Sequence, residues 1–446
     1  MYGKDNIMGV DVELKVGKLE LMYWKSYFDR YALGLFFSDR DLVITENVKN
    51  DREDVDEQPH TEYKYSTTVQ KAIDRLEATG YTMKKARDYF NKNIYRCLDY
   101  FSILHDLHIN LGDYDEIQEA RIKKHVTFLK WCNSVWKYAR YGMDNGLYLY
   151  FRDNYDPCLL PKTECDRIVF NSLIHPEDSF FGCLHEEFDR LFTIRVILEK
   201  CPRDEELFVD ITEMVGWTYS SIDEMRLGEP TEKTIILVEG TNDKAILEFA
   251  LKNFYPHLYD LYYFMDFELE PGKKRKGGTD ALANNLKAFV YSKLQARFIA
   301  VFDNDTAGTQ AMKRLVYEIG TIPENVRVIS YPNIRRANRY PTIGTNGKVV
   351  FDNINGRACS IELYLPDFLL KNGQQFSPVE WESRMKTRIG DMEHHEYQGV
   401  ISSKADIEIK FKKFKKLVEN GERTVELDEW IFMKQLVDSI IHAFDI

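Results

Sequence analysis

Lys233–Leu251 reads KTIILVEGTNDKAILEFAL. Its opening, TIILV, is a run of β-branched and aliphatic residues of strand length, and after Glu239-Gly240 the apolar residues recur at three- and four-residue steps, as on one face of a helix. Arg297–Leu315, RFIAVFDNDTAGTQAMKRL, repeats the plan. Its strand closes on Asp303, Asn304 and Asp305 before a second amphipathic helix begins. In an open α/β sheet the ligand crevice lies beyond the carboxyl ends of the strands, so both endings place acids where chemistry is done. Glu239, Asp303 and Asp305 are therefore the candidate active site.

Three carboxylates gathered in one crevice repel one another, and the physical relief is protonation or a bound divalent cation. Hard oxygen ligands suit Mg²⁺, the usual partner of phosphate chemistry. Gly240 lets a phosphate or a neighbouring loop come close to the backbone, and Asp-Asn-Asp sets two acids on one side of a strand end. Metal-assisted phosphoryl chemistry follows from that set. Either motif alone also fits acids in solvated loops, because a DxD and a Glu-Gly after a strand arise often by chance.

Working outward, strands are expected at Thr234–Val238, Leu261–Asp266, Arg297–Phe302 and Val326–Tyr331, with helices at Asp243–Asn253, Asp280–Leu294 and Ala307–Ile319. Strands alternating with helices of this length mean an α/β domain with a small parallel, Rossmann-like sheet. Within the loop Phe267–Thr279, Lys273, Lys274, Arg275 and Lys276 run into two glycines, a basic segment suited to a phosphate backbone. Arg335, Arg336 and Arg339 form a second basic loop, with Tyr340 beside them to stack on an unpaired base. Solvated charged turns are the competing reading of both loops.

The passage from VEG to DND resembles the Toprim domain of topoisomerases, bacterial primases and the overcoming-lysogenization-defect nucleases. The resemblance implies that Glu239 is an acid/base and metal-linked residue and that Asp303 and Asp305 hold Mg²⁺ or Mn²⁺. It also implies that Asp243, and Glu362 in SIELYLP, match the extra acids of the nuclease branch. The first half, through ELKVGKLEL, WKSYFD and PRDEELFVDITEMVGW, resembles the HEPN/Toprim-associated domain that precedes Toprim modules. The implied layout is a mostly helical HEPN-like domain over 1–228 with a short β element at its start, a Toprim catalytic domain over 229–370 and a helical extension over 371–446. The implied function is metal-dependent endonuclease action on DNA or RNA in prokaryotic defence against phage, with a homo-oligomer or a defence partner such as an ATPase as its company. HEPN domains that cut RNA carry an Arg and a His at a set short spacing. Here only Arg388 with His394 or His395 matches it, outside the bundle, so a metal-independent RNase is a lesser reading, alongside a non-catalytic regulatory or scaffold subunit.

Composition narrows the alternatives. At 446 residues and 44% apolar content the chain has material for two or three domains. It shows neither an unbroken apolar run of membrane-spanning length nor the basic and apolar start of a signal peptide, so the cytoplasm, with no membrane contact, is expected. Its seven cysteines are odd in number and lack a CxxC pair, which predicts buried thiols and argues against the zinc cluster of a primase. A net charge of −12 argues against indiscriminate coating of nucleic acid and leaves local basic tracks as the means of contact. No GxxxxGK[ST] is present, so the chain is not expected to hydrolyse ATP by itself. In the tail, Glu393–Glu396 (EHHE) reads as loop, and Phe411 and Phe414 of KFKKFKK as one apolar stripe docking a basic helix, with Trp430–Phe444 a second amphipathic helix.

Overall fold

In the computed structural model of the chain, residues 9–48, 60–92, 126–145, 162–163, 165–166, 169, 190–218, 221–265, 278–344, 347–382, 385–389 and 392–445 are described. The basic run Lys273–Lys276 lies outside them, as do 49–59 of the acidic, Pro-containing stretch Asn47–Tyr63, which reads as a surface loop, and much of Met83–His108 and Glu116–Tyr141, whose apolar residues at three- and four-residue steps predict two long helices. Contacts divide the chain into two compact units, Met1–Pro230 and Thr231–Ile446.

In the first unit the alternating segment folds as an antiparallel hairpin, Asp11–Val16 with Leu19–Lys25. Val12, Leu14 and Val16 point inward and are buried, so the two-residue period of the sequence is the period of burial. The hairpin belongs to a sheet larger than the short β element expected. Five antiparallel strands run in the order Leu19–Lys25, Asp11–Val16, Glu206–Asp210, His60–Thr68, Leu42–Val48. Two expectations are corrected here. The surface loop drawn over Asn47–Tyr63 overlaps strands at both ends, and the closing segment supplies Glu206–Asp210 to the middle of the sheet. That strand buries only Leu207 and Val209, too few alternating positions to stand out, and its partners are far away in the chain.

Apolar residues at three- and four-residue steps over Thr67–Ala78 predict a helix, and the helix is Val69–Thr79. Thr68 stays extended and caps it, its hydroxyl accepting from the Lys71 N–H, and Gly80 ends it in the left-handed region at φ 105°, where a glycine is favoured. Arg190–Leu198 packs against it and against Phe128–Asn145, in which Trp131 lies with the Phe90 ring 5.2 Å from its indole. Arg195 is buried here and paired with Glu77 and Glu199, which removes the penalty of an isolated buried charge. Cys132, Cys165 and Cys201 are buried and form no disulfide.

The second unit is built on a four-stranded parallel sheet in the order Val326–Ser330, Phe298–Phe302, Thr234–Leu237, Tyr262–Phe264. Helices Thr241–Phe254, Thr279–Tyr291 and Thr306–Ile319 make the crossovers. Every residue of FIAVF is buried, as expected of a central strand covered on both faces. From Thr234–Leu237 the chain crosses to one side, to Tyr262–Phe264, and from Phe298–Phe302 to the other. The strands that end in Glu239 and in Asp303 therefore flank the point where the winding reverses.

The tail departs from the helical extension expected over 371–446, because strands occupy most of 371–401. Val379–Trp381 and Gly399–Ile401 join Tyr340–Ile343 and Val349–Asp352 in a second sheet, and Met385–Ile389 pairs with Met392–Glu396 as a hairpin. EHHE is thus strand rather than loop. These strands are two to five residues long, below the length at which a sequence period shows. The two last helices are as expected. Lys404–Glu419 and Ile431–Ile441 bring Phe411, Phe414 and Trp430 onto Phe249, with ring centroids 5.5, 6.1 and 5.6 Å away. The lysines of KFKKFKK flank a buried aromatic stripe. Among the described residues no helix is long and apolar enough to cross a membrane.

Candidate active site

Glu239 stands two residues beyond its strand, and its Oε1 accepts the backbone N–H of Asp303 at 3.0 Å. The two strand endings are thereby joined directly. Asp303 follows the buried Phe302 and is itself 8% exposed; its Oδ1 is buried without a hydrogen-bond partner. Asp305 caps helix Thr306–Ile319, Oδ1 accepting the Gly308 N–H at 2.7 Å, while its Oδ2 accepts from the Gln398 amide. A β-carbon on Gly308 would lie 2.3 Å from the Asp303 carbonyl oxygen, so only glycine lets this helix start so close to the acid. At Gly240 a β-carbon would lie 2.8 Å from Asp243 Oδ2, so the group that comes close to this glycine is the acid of the following helix turn.

Asp243, in the first turn of helix Thr241–Phe254, accepts from the Tyr331 hydroxyl at 3.3 Å. Glu362 is fully buried. It accepts from Ser360 Oγ at 2.7 Å and Asn242 Nδ2 at 3.2 Å, and lies 3.1 Å from Lys404 Nζ. The structure thus brings the five acids singled out in the sequence into one neighbourhood. It adds Gln398, Lys404, Tyr331 and Asn242, which sequence reasoning had not assigned to the site. Gln398 and Lys404 sit in YQGVISSK, where no spacing or residue pattern ties either to the acids.

The electrostatics follow from burial and like charge. Burial pushes the Glu239 carboxyl up to about 8, the Asp305 and Asp243 charges adding to it while the Asp303 N–H and Lys404 oppose it. Burial and then the Glu362 charge hold Asp243 at about 7. Asp303 lies well above the ordinary carboxylate range, through burial and then through Asp243, Glu239, Asp305 and Glu362, all acting in one direction. Asp305 is raised less freely, since hydrogen bonds from Gly308 and Gln398 favour its charged form against burial. For Lys404, burial disfavours the ammonium, but Glu362, Asp243 and Asp303 outweigh it and the net shift is upward.

These donors fit a hard divalent cation by type. All are carboxylate oxygens, their mutual repulsion is what a cation relieves, and Asp303 Oδ1 is a buried acceptor with nothing to accept. Among the described residues no three His, Cys, Asp or Glu side chains already converge as a ligand set. The acids are instead engaged severally, by the Asp303 N–H, by Gly308 and Gln398, by Tyr331, and by Ser360, Asn242 and Lys404.

The basic residues fare differently. Arg335–Arg339 is a turn of 3₁₀ helix, not an open loop. Arg336 points inward and clamps the carbonyls of Leu363 (2.9 Å) and Leu365 (2.7 Å) and the Asp367 carboxylate (2.8 Å), an occupation that leaves its guanidinium no part in gripping phosphate. Tyr340 is 1% exposed and donates to the Ser377 carbonyl, so its face is closed to a base. Arg335 and Arg339 are exposed, Arg339 with its guanidinium 5.1 Å from the Phe351 ring centre.

Compared with known proteins, residues 8–233 match the family model described as HEPN/Toprim N-terminal domain 1. The match stops one residue short of the strand Thr234–Leu237 and so covers the first unit, not the acids. No curated protein and no solved structure matches the chain significantly.

Proposed function

The chain belongs to the HEPN/Toprim N-terminal domain 1 family, which points to a nuclease-related role, and on that premise we propose that its second unit is a Toprim-type, metal-dependent endonuclease hydrolysing phosphodiester bonds in DNA or RNA. The observation that carries this reading is the direct contact of Glu239 with the Asp303 backbone, beside a buried Asp303 oxygen that has no partner. Glu239, Asp303 and Asp305, with Asp243 and Glu362 behind them, are the residues that would hold Mg²⁺ or Mn²⁺. Bound there, the cation would polarise the phosphate and stabilise the leaving oxygen.

The chain's own groups supply the rest. Without a cation Glu239 is pushed up to about 8; a cation held among these acids would favour its charged form, so that near neutral pH it can accept a proton. With Oε1 fixed by the Asp303 N–H, Oε2 is the atom at which that proton is held or passed on. Lys404 balances the charge of Glu362 and limits the repulsion that would otherwise spread the acids apart. Asp303 and Asp305 are held on a central strand and a capped helix start, rigid supports that fix where their carboxylates lie. Contact with the strand being cut falls to cations: the exposed Arg335 and Arg339 among the described residues and, in the sequence, the run Lys273, Lys274, Arg275 and Lys276. An anti-phage effector restrained by its first unit, by a second copy or by a partner ATPase is the setting this activity suits, in the manner of the overcoming-lysogenization-defect nucleases.

The test is direct. Purified protein is incubated with plasmid DNA and with total RNA in Mg²⁺, Mn²⁺ or EDTA, beside Glu239→Ala and Asp303→Ala. Cleavage that requires metal and falls by about 10²-fold or more in both variants is the expected result. Cutting in EDTA that depends on Arg388 and His394 would replace this reading with a metal-independent RNase. No cleavage of either polymer would leave the second unit a metal-binding or scaffold module.

A further inference from the structure

The hairpin Met385–Ile389/Met392–Glu396 lies against helix Thr306–Ile319, and its root is fastened to the acid-bearing turn that precedes that helix. Three hydrogen bonds make the attachment. The Thr306 hydroxyl donates to the Tyr397 carbonyl at 2.7 Å, the Ala307 N–H donates to Gln398 Oε1 at 3.0 Å, and Gln398 Nε2 donates to Asp305 Oδ2. Gln398 also closes the hairpin's base, its carbonyl accepting from the Glu382 N–H at 2.8 Å. One residue therefore touches the helix start with its side-chain oxygen, an acid with its side-chain nitrogen and the opposite leg of the hairpin's base with its backbone.

A carboxylate oxygen carries two lone pairs. With Oδ1 committed to the Gly308 N–H, the rotation of the Asp305 carboxylate is set by where Gln398 takes hold of Oδ2, and with it the direction of the lone pair left over. Groups that hold a metal-binding side chain in this way govern affinity without touching the metal. We propose that Gln398 is a positioning residue for Asp305, and through Asp305 for divalent-cation binding. This rests on the nuclease reading only in so far as the acids bind a cation.

The probe is Mn²⁺ alone, titrated into the full chain and followed by calorimetry and by the electron-spin resonance of the free ion, with no substrate present. Gln398→Met keeps the volume and removes both polar atoms; Thr306→Val breaks the neighbouring attachment to Tyr397 and leaves Asp305 untouched. The expected result is Mn²⁺ affinity lowered 10- to 100-fold or thereabouts in Gln398→Met and changed less than about twofold in Thr306→Val. Affinity unchanged in Gln398→Met, or lowered equally in Thr306→Val, overturns the proposal, the second because mere loosening of the hairpin would explain it. A wild-type chain that takes up no Mn²⁺ overturns it together with the metal reading. Mn²⁺ binding without cleavage of DNA or RNA removes the nuclease assignment alone, and the Gln398 comparison still decides the positioning role.

Discussion

At the scale of single residues, the site is a set of acids kept partly protonated by burial. Glu239 and Asp243 rise to about 8 and about 7 from ordinary values of 4.5 and 3.8, so between those limits the folded chain holds protons that the unfolded chain has released. Their contribution to stability is complete below about pH 4 and is lost as pH climbs through the folded values. In EDTA the melting temperature should therefore fall between about pH 5 and pH 8.5, and saturating Mg²⁺ should flatten that slope by taking the place of the protons. Equal slopes with and without metal would show that the cation does not reach these carboxylates. Residue type and position made the acids legible in the sequence: Glu239, Asp303 and Asp305 end apolar runs. Arg336 misled because an arginine in a run of arginines carries no mark of facing inward; its two carbonyl partners, Leu363 and Leu365, belong to a later segment.

At the scale of elements, the turn between strand Phe298–Phe302 and helix Thr306–Ile319 has no room for a side chain at Gly308. Gly308→Ala must push either the helix or the Asp303 carbonyl aside, and should cost about 1–3 kcal/mol or more in denaturant unfolding while weakening Mn²⁺ binding. A variant as stable as the parent would mean that the helix does not begin where Asp305 caps it. The strand–acid–helix units were readable because an unbroken apolar run of strand length, the acids that end it and the 3.6-residue period of the next helix lie within a score of consecutive positions. The short strands of 371–401 and the strand Glu206–Asp210 were not. Each has too few alternating residues to rise above its neighbours, and each is held in place by partners distant in the chain.

At the scale of the whole molecule, Met1–Pro230 and Thr231–Ile446 have separate cores, and a chain so divided need not melt as one. Calorimetry should resolve two transitions, of which Mg²⁺ raises only that of the second unit, by about 2.7 kcal/mol at a concentration one hundred times its dissociation constant. A metal-induced shift of both, or of the first alone, would place the cation elsewhere than among Glu239, Asp303 and Asp305. What the sequence by itself determined is the parallel α/β plan and the three acids at its strand ends, because those are written in local periodicity and in the residues that follow it. Only the tertiary structure decided that Glu239 grips the Asp303 backbone, that Lys404 faces Glu362 and that Gln398 holds Asp305. Such contacts join residues that nothing in the intervening chain marks as neighbours. They exist because burying the apolar faces of the sheet and of the last two helices leaves those polar groups no other place to be satisfied.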